Sequence, residues 1–434
     1  MRRIGILGFG VLVIIVAIFG EALLRDFSRD EKPEVEKPIV DVHTLHLNVD
    51  SAVYKESYTQ AFASFDGDTL IPMSIKYRGN SSYSDFDKPQ YRIVFQNKSH
   101  DKAKDIALFG MNEGSDWVLY GPFLDRTLLR SKLFLDISRE LLPWSPDSRF
   151  VEVYLNDNYE GLYLVIEAVQ VNEHRIGLYE KGLLSGETAY LVWRERVGQE
   201  DNPIKTYGSE EAHTSYELSV GFPSSRRITQ AQLDWISSDI SRFEKALYGD
   251  DFLDDRLGYR SYVNLDTFVD YFLINELAML SDAGSLSTPM YKDLKGRLTM
   301  SVWDFNNALD NYYTEKRTDV FYLTEVNYFE QMIKDPVFVG KVIERYESLR
   351  KSTWQNDALI NRLETLEMTI ADAQVRNFER YGYVFEKQLL AQTVDGITRD
   401  PKSYSEALEM LKATLLKRLD FLDEHLKDLY AFTF

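Results

Sequence analysis

The sequence contains no cysteine in 434 residues. That excludes disulfides, thiol nucleophiles, a cysteine-borne lipid anchor, and zinc or iron–sulfur sites built on thiolates. Histidine is also scarce. His43, His46, His100, His174, His213 and His425 are scattered, and none forms the close pair that a histidine metal site needs. Positive charge is in deficit, with 50 Lys and Arg against 69 Asp and Glu, a formal net charge of -19. Residues 1–38 hold six basic and six acidic residues, so the whole imbalance lies downstream of them. Such a surface repels DNA and RNA, which excludes nucleic acid as a partner. It leaves room for a cationic partner or a phosphate bridged by a metal ion.

What is present supports a packed core. Hydrophobic residues make up 44% and aromatics 13% of the chain, too much for extensive disorder. The length suits two ordinary domains or one large two-lobed one. Arg2 and Arg3 precede an unbroken apolar run from Ile4 to Gly20. This run reads as a signal anchor or transmembrane helix over residues 1–25, with the N-terminus inside and the remainder outside the cell membrane. A cleaved signal peptide, giving a secreted protein, is the other reading. Residues 26–38, charged and punctuated by proline, read as a linker.

From residue 39 to 169 the chain consists mostly of short runs of strand character. Thr44–Val49, Thr69–Arg78, Gln90–Phe95 and the hairpin Phe150–Leu155 with Glu160–Ile166 read as strands, and Asp125–Leu142 as one helix. Residues 194–225 read as a surface loop or flap. Beyond Ile228 the periodicity turns helical, over 228–247, 265–279, 322–334, 337–352, 357–386 and 403–429. The expected fold class is α+β, with a β-rich N-lobe (39–169) and a helical C-lobe (170–434). That is the bilobal layout of an atypical protein-kinase-like fold.

The most informative stretch runs from Ser281 to Asp310. Met290-Tyr291-Lys292 leads into a turn at Asp293–Gly296, and Arg297–Trp303 leads out, a hairpin flanked by Asp282 and Asp304. A hairpin returns the chain to its start, so both carboxylates can face one cleft. Phosphoryl transfer needs such a pair, one to orient the attacking hydroxyl and one to hold the metal that neutralises phosphate. The plainer alternative is that Asp282 caps a loop and Asp304 caps a helix.

Several blocks then resemble the spore-coat protein H (CotH) kinase family, in the expected order. They are Arg78-Gly79-Asn80-Ser81-Ser82 with Lys88-Pro89-Gln90-Tyr91-Arg92-Ile93-Val94-Phe95, the helix opening Asp125–Leu133, and Arg149–Asn156 with Gly161–Glu167. Val302-Trp303-Asp304-Phe305 and Asp335-Pro336-Val337-Phe338 follow. The resemblance implies a kinase using ATP with Mg²⁺ or Mn²⁺ to phosphorylate Ser/Thr of a protein or another hydroxyl on a cell-surface acceptor. It implies Asp304 as metal ligand, Asp282 as catalytic base or orienting group, and Glu167 at the hinge beside the adenine. Arg78, Lys88 and Arg92 become the cations for the phosphates, and Arg130 an organising residue on its helix. Where relatives carry an Asn for a second metal this chain has Ser287, and where many carry a second Asp it has Asn306. Both remain candidate metal ligands, and the neutral Asn306 in place of an Asp implies a weaker grip on the ion. These departures leave open a weak or inactive pseudokinase that serves as a nucleotide-binding or scaffold module of the cell envelope. Oligomeric state is not legible.

Overall fold

Alternation with period two, read in the first third of the chain, puts one set of side chains inside and the other outside. In the computed structural model, which describes residues 42–434 apart from 67–68, 80, 179–185, 197 and 199–201, seven such strands close on themselves. They are β1 (His43–Asn48), β2 (Thr59–Phe65), β3 (Ile71–Arg78), β4 (Gln90–Phe95), β5 (Asp116–Tyr120), β6 (Ser148–Leu155) and β7 (Asn158–Glu167). The order around the barrel is β1-β2-β3-β4-β5-β7-β6. All neighbours are antiparallel except β1 and β6, whose parallel pairing (His43 opposite Val151) closes the ring. Closure satisfies every edge that an open sheet would expose.

The inside of the barrel is filled by Leu45, Leu47, Ala61, Ala63, Met73, Ile75, Ile93, Phe95, Val151 and Val153, all buried. The outer faces of β5, β6 and β7 are apolar too. Val118, Tyr120, Phe150, Leu162, Leu164 and Ile166 join a second, larger core shared with the helices. A strand buried on both faces shows no alternation, which hides β5 (Asp-Trp-Val-Leu-Tyr) from a periodicity reading.

The second half is more than helical. β8 (Tyr190–Arg194), β9 (Pro203–Ile204), β10 (Leu218–Phe222), β11 (Thr288–Lys292) and β12 (Thr299–Met300) form a sheet in the order β12-β11-β8-β10-β9. The region expected to be a flap therefore supplies two of its strands. β11 and β12 are the anticipated hairpin, with Met290 opposite Met300 and the Gly296 N–H donating to the Asp293 carbonyl at 2.9 Å. Around this sheet and the barrel pack α1 (Arg130–Leu141), α2 (Gln230–Tyr248), α3 (Leu265–Ala278), α4 (Asn327–Met332), α5 (Pro336–Arg350), α6 (Asn356–Thr369), α7 (Ala371–Tyr381) and α8 (Tyr404–His425). α3 is buried nearly all round and forms the axis of the larger core.

Two expectations need correction. The bilobal kinase-like fold, an open β-rich lobe beside a helical lobe, is not what forms. The β-rich part is a closed barrel, and a five-stranded sheet accompanies the helices. The single-pass membrane placement is not carried either, since no helix among the described residues is long and apolar enough to cross a membrane. The stretch read as a transmembrane helix, residues 1–25, and the linker 26–38 lie outside the described residues.

Candidate active site

The hairpin positions the two aspartates. β12 ends at Met300, and the Ser301 N–H still donates to the Pro289 carbonyl at 3.0 Å. The chain then leaves the sheet, and Asp304 adopts a left-handed backbone, φ 64°. Asp tolerates that region better than most residues, and strained backbone of this kind gathers at functional sites. At the other end α3 stops at Met279, also left-handed (φ 57°), and turns the chain outward. The Asp282 carbonyl accepts the Ser285 and Leu286 N–H groups at 3.1 and 2.7 Å, which tightens the return into β11. One small cavity is then lined by both Asp282 and Asp304, together with Asn275, Ser287, Trp303 and Asn306. A second, on the other side of Trp303 and Asp304, is lined by Arg78, Tyr120 and Ser131. Each measures about 20 Å³.

Asp304 lies deep among protein atoms, yet its side chain stays open to solvent, as a group does at the bottom of a crevice. Burial pushes its carboxyl pKa up, and the negative charges of Asp282 and Glu195 push the same way. The Arg78 guanidinium and a hydrogen bond from the Asn306 backbone N–H oppose the shift. That last contact closes a turn, and no helix begins at Asp304 for it to cap. Arg78 projects from the end of β3 over the Trp303 ring, 5.7 Å from its centroid, and donates to Gln90 Oε1 at 3.1 Å. On the Asp282 side stands Lys316. Its Nζ donates to Ser281 Oγ at 2.6 Å, and burial lowers its pKa while Asp282 and Asp310 hold it up.

Glu195 supplies a third acid. It follows β8 directly, and its Oε2 accepts the Ser287 N–H at 3.1 Å and the Ser287 hydroxyl at 3.2 Å. Asn306 Oδ1 is buried without a hydrogen-bond partner among the described residues, on the same cavity as the two aspartates. An orphaned carbonyl oxygen beside two carboxylates suits a hard divalent cation, whose ligands are oxygens. Among the described residues no three acidic or histidine side chains stand close enough to form a ready-made metal set. The fit to a metal therefore rests on the mixed group of Asp304, Asp282 and Asn306.

The model of the family described as CotH kinase protein matches residues 75–422. The chain belongs to the CotH kinase family. Membership supports a kinase-like reading at the level of the family. The chain is also similar to inner spore coat protein H of Bacillus subtilis (strain 168), 30% identical over 153 residues. That match covers 35% of this chain and 36% of the relative, so it spans about a third of each.

Family resemblance placed more cations at the site than the structure brings there. Lys88 is fully buried, and its Nζ donates to the Leu162 carbonyl at 2.6 Å and to Asn377 Oδ1 at 2.7 Å. Burial lowers its pKa strongly, with Glu160 opposing. It joins α7 to the barrel and lines neither cavity at Asp304. Arg92 holds Asp116 with a forked pair, Nε to Oδ1 at 2.9 Å and Nη2 to Oδ2, and is oriented by that carboxylate. Glu167 is wholly buried and accepts the Asn112 N–H at 2.7 Å and the Asp147 N–H at 3.1 Å. Its own N–H donates to the Asp147 carbonyl at 3.0 Å, so that hinge donor is already engaged.

Arg130 is held on both sides by hydrogen bonds. Its Nε donates to the Ala308 carbonyl at 3.0 Å and its Nη1 to Asp125 at 2.6 Å, tying the loop after Asp304 to the start of α1. Arg399 grips Asp310 in the same loop, and the Leu309 N–H donates to the Ala278 carbonyl at 2.8 Å. Farther along, Glu276 accepts the Tyr322 and Leu323 N–H groups, and the fully buried Arg418 pairs with it at 2.6 Å. Sequence reasoning missed Glu195 and Lys316. The signal for Glu195 was the run Tyr-Leu-Val-Trp-Arg just before it, legible as a strand. Lys316 had none, because only the folded loop carries it back to Ser281.

Proposed function

We propose that the protein transfers the γ-phosphoryl of ATP to a hydroxyl group, of Ser/Thr in a protein or of another acceptor, with Mg²⁺ or Mn²⁺. The observation that carries this reading is the shared cavity of Asp282, Asp304 and the unpartnered Asn306 Oδ1 in a member of a kinase family. Asp304 and Asn306 would hold the metal, with Ser287 and its partner Glu195 at the rim. Bound there, the ion would offset phosphate charge, the usual electrostatic part of phosphoryl transfer. Asp282 orients the acceptor hydroxyl and takes its proton as the oxygen attacks phosphorus and ADP leaves. Arg78 faces Asp304 from β3 and supplies a delocalised cation on the donor side.

A second reading is a nucleotide-binding or scaffold protein with little or no transfer. It is favoured by the size of the two cavities, about 20 Å³ each, and by the missing ready-made metal set among the described residues. Room of that order admits about one water, so a nucleotide has to lie in the open crevice or widen it. Incubating the full chain with γ-labelled ATP, Mn²⁺ and a generic basic protein acceptor separates the two. Asp282→Asn is expected to keep nucleotide binding and lose transfer by about 10²–10⁴-fold. Transfer undiminished in both Asp282→Asn and Asp304→Asn sinks the catalytic assignment. Metal-dependent binding with no transfer by the wild type selects the second reading.

A further inference from the structure

Behind the loop that follows Asp304 lies a separate cavity of about 30 Å³, lined by three arginines, Arg126, Arg130 and Arg399. Arg126 lies in the turn before α1, Arg130 is the first residue of that helix, and Arg399 comes from the segment before α8. The opposite wall is Leu309, Asp310 and Asn311. Arg126 is only 2% exposed. Its Nη2 donates to Asp400 Oδ1 at 2.7 Å, and its Nε and Nη2 donate weakly to the Val384 carbonyl at 3.3 Å. Its Nη1 is buried and has no acceptor among the described residues. A buried guanidinium N–H without a partner is uncommon in a folded protein and calls for an occupant that accepts a hydrogen bond.

We propose that this cavity is a binding site for one small monovalent anion of the halide class. The volume admits a single ion of that size and excludes a nucleotide phosphate chain. Each arginine already has a carboxylate, Arg126 with Asp400, Arg130 with Asp125 and Arg399 with Asp310. The cluster is formally neutral, so the ion is held by unmatched N–H groups rather than by net charge. Binding is therefore weak, in the millimolar range or above it. The site matters because its wall is the back of the functional loop. Arg130 and Arg399 hold Ala308 and Asp310, and Asn311 Nδ2 donates to the Asn306 carbonyl at 2.7 Å. An ion held by Arg126 Nη1 fills the space beside Arg130 and Arg399 and stiffens the segment bearing Asn306, whatever chemistry that segment performs.

The test uses the full chain and bromide as probe. Crystals soaked in sodium bromide are expected to show anomalous density against Arg126 Nη1. In solution, replacing gluconate by chloride at equal ionic strength is expected to raise Tm by about 2–5 °C and to slow hydrogen exchange over residues 308–312. Arg126→Gln should abolish the halide-specific part of both effects. Should that variant fail to fold, the wild-type halide series and the soak decide alone. A cavity holding only water after the soak, with chloride and gluconate giving the same Tm, overturns the proposal.

Discussion

Glu195 Oε2 accepts both the backbone N–H and the hydroxyl of Ser287, at 3.1 and 3.2 Å. Ser287 is neutral, and the fold sets a carboxylate behind it. The left-handed backbone of Ser287 (φ 50°) directs its N–H toward that acid. Glu195 thus brings a negative charge to a position where the side chain itself is neutral.

Glu195→Gln tests this. Removing the charge is expected to weaken Mn²⁺ or Mg²⁺ affinity by about 10–100-fold, the range seen when groups that support metal ligands are lost. Folding should change little, since Gln can still accept from Ser287. Calorimetric titration of metal in the presence of ATP checks it. Unchanged affinity would remove Glu195 from the site.

Asp304→Asn should separate stability from function. Burial, Asp282 and Glu195 raise the Asp304 pKa, so its ionised form is disfavoured in the fold. A raised carboxyl pKa costs stability as pH rises from the unfolded value to the folded one, and the cost persists above that. The metal-free variant is expected to melt higher than wild type at neutral pH, by about 1–3 °C. The difference should vanish below about pH 4, where both side chains are uncharged. Metal-dependent nucleotide binding should be lost. Melting curves from about pH 3 to 8 read the first effect, and nucleotide titration the second.

Lys88→Met distinguishes a structural lysine from a phosphate ligand. The substitution keeps much of the volume but leaves the Leu162 carbonyl and Asn377 Oδ1 without their donor. Unfolding free energy is expected to fall by about 1–3 kcal/mol, with nucleotide affinity unchanged in the folded fraction. Urea denaturation and an ATP titration on the same sample decide. A large loss of ATP affinity without loss of stability would return Lys88 to the site.

Arg418→Met removes one half of a pair in which both side chains are fully buried. Glu276 would be left charged or forced to take up a proton, at a cost of about 3–5 kcal/mol. Because Arg418 also donates to the Thr318 and Val320 carbonyls, the loop that ends near α4 should loosen first. Hydrogen exchange over residues 316–323, compared with the global denaturation midpoint, measures both.

Much of this protein was fixed by local sequence. The hairpin between Asp282 and Asp304, the helices from Gln230 onward and the absence of any thiol chemistry follow from turn residues, apolar period and composition. Those signals act over a few residues and need no knowledge of the rest of the chain. The partners of charged groups are a different matter. Lys88 meets Asn377, Glu195 meets Ser287, and Lys316 meets Ser281, all across gaps that no periodicity spans. Whether a lysine faces phosphate or a buried carbonyl depends on how the barrel closes. That closure rests on the parallel pairing of β1 with β6, a contact between distant strands that only the assembled core selects. The sequence alone determined which chemistry was available, and the tertiary structure decided which of those side chains stand together.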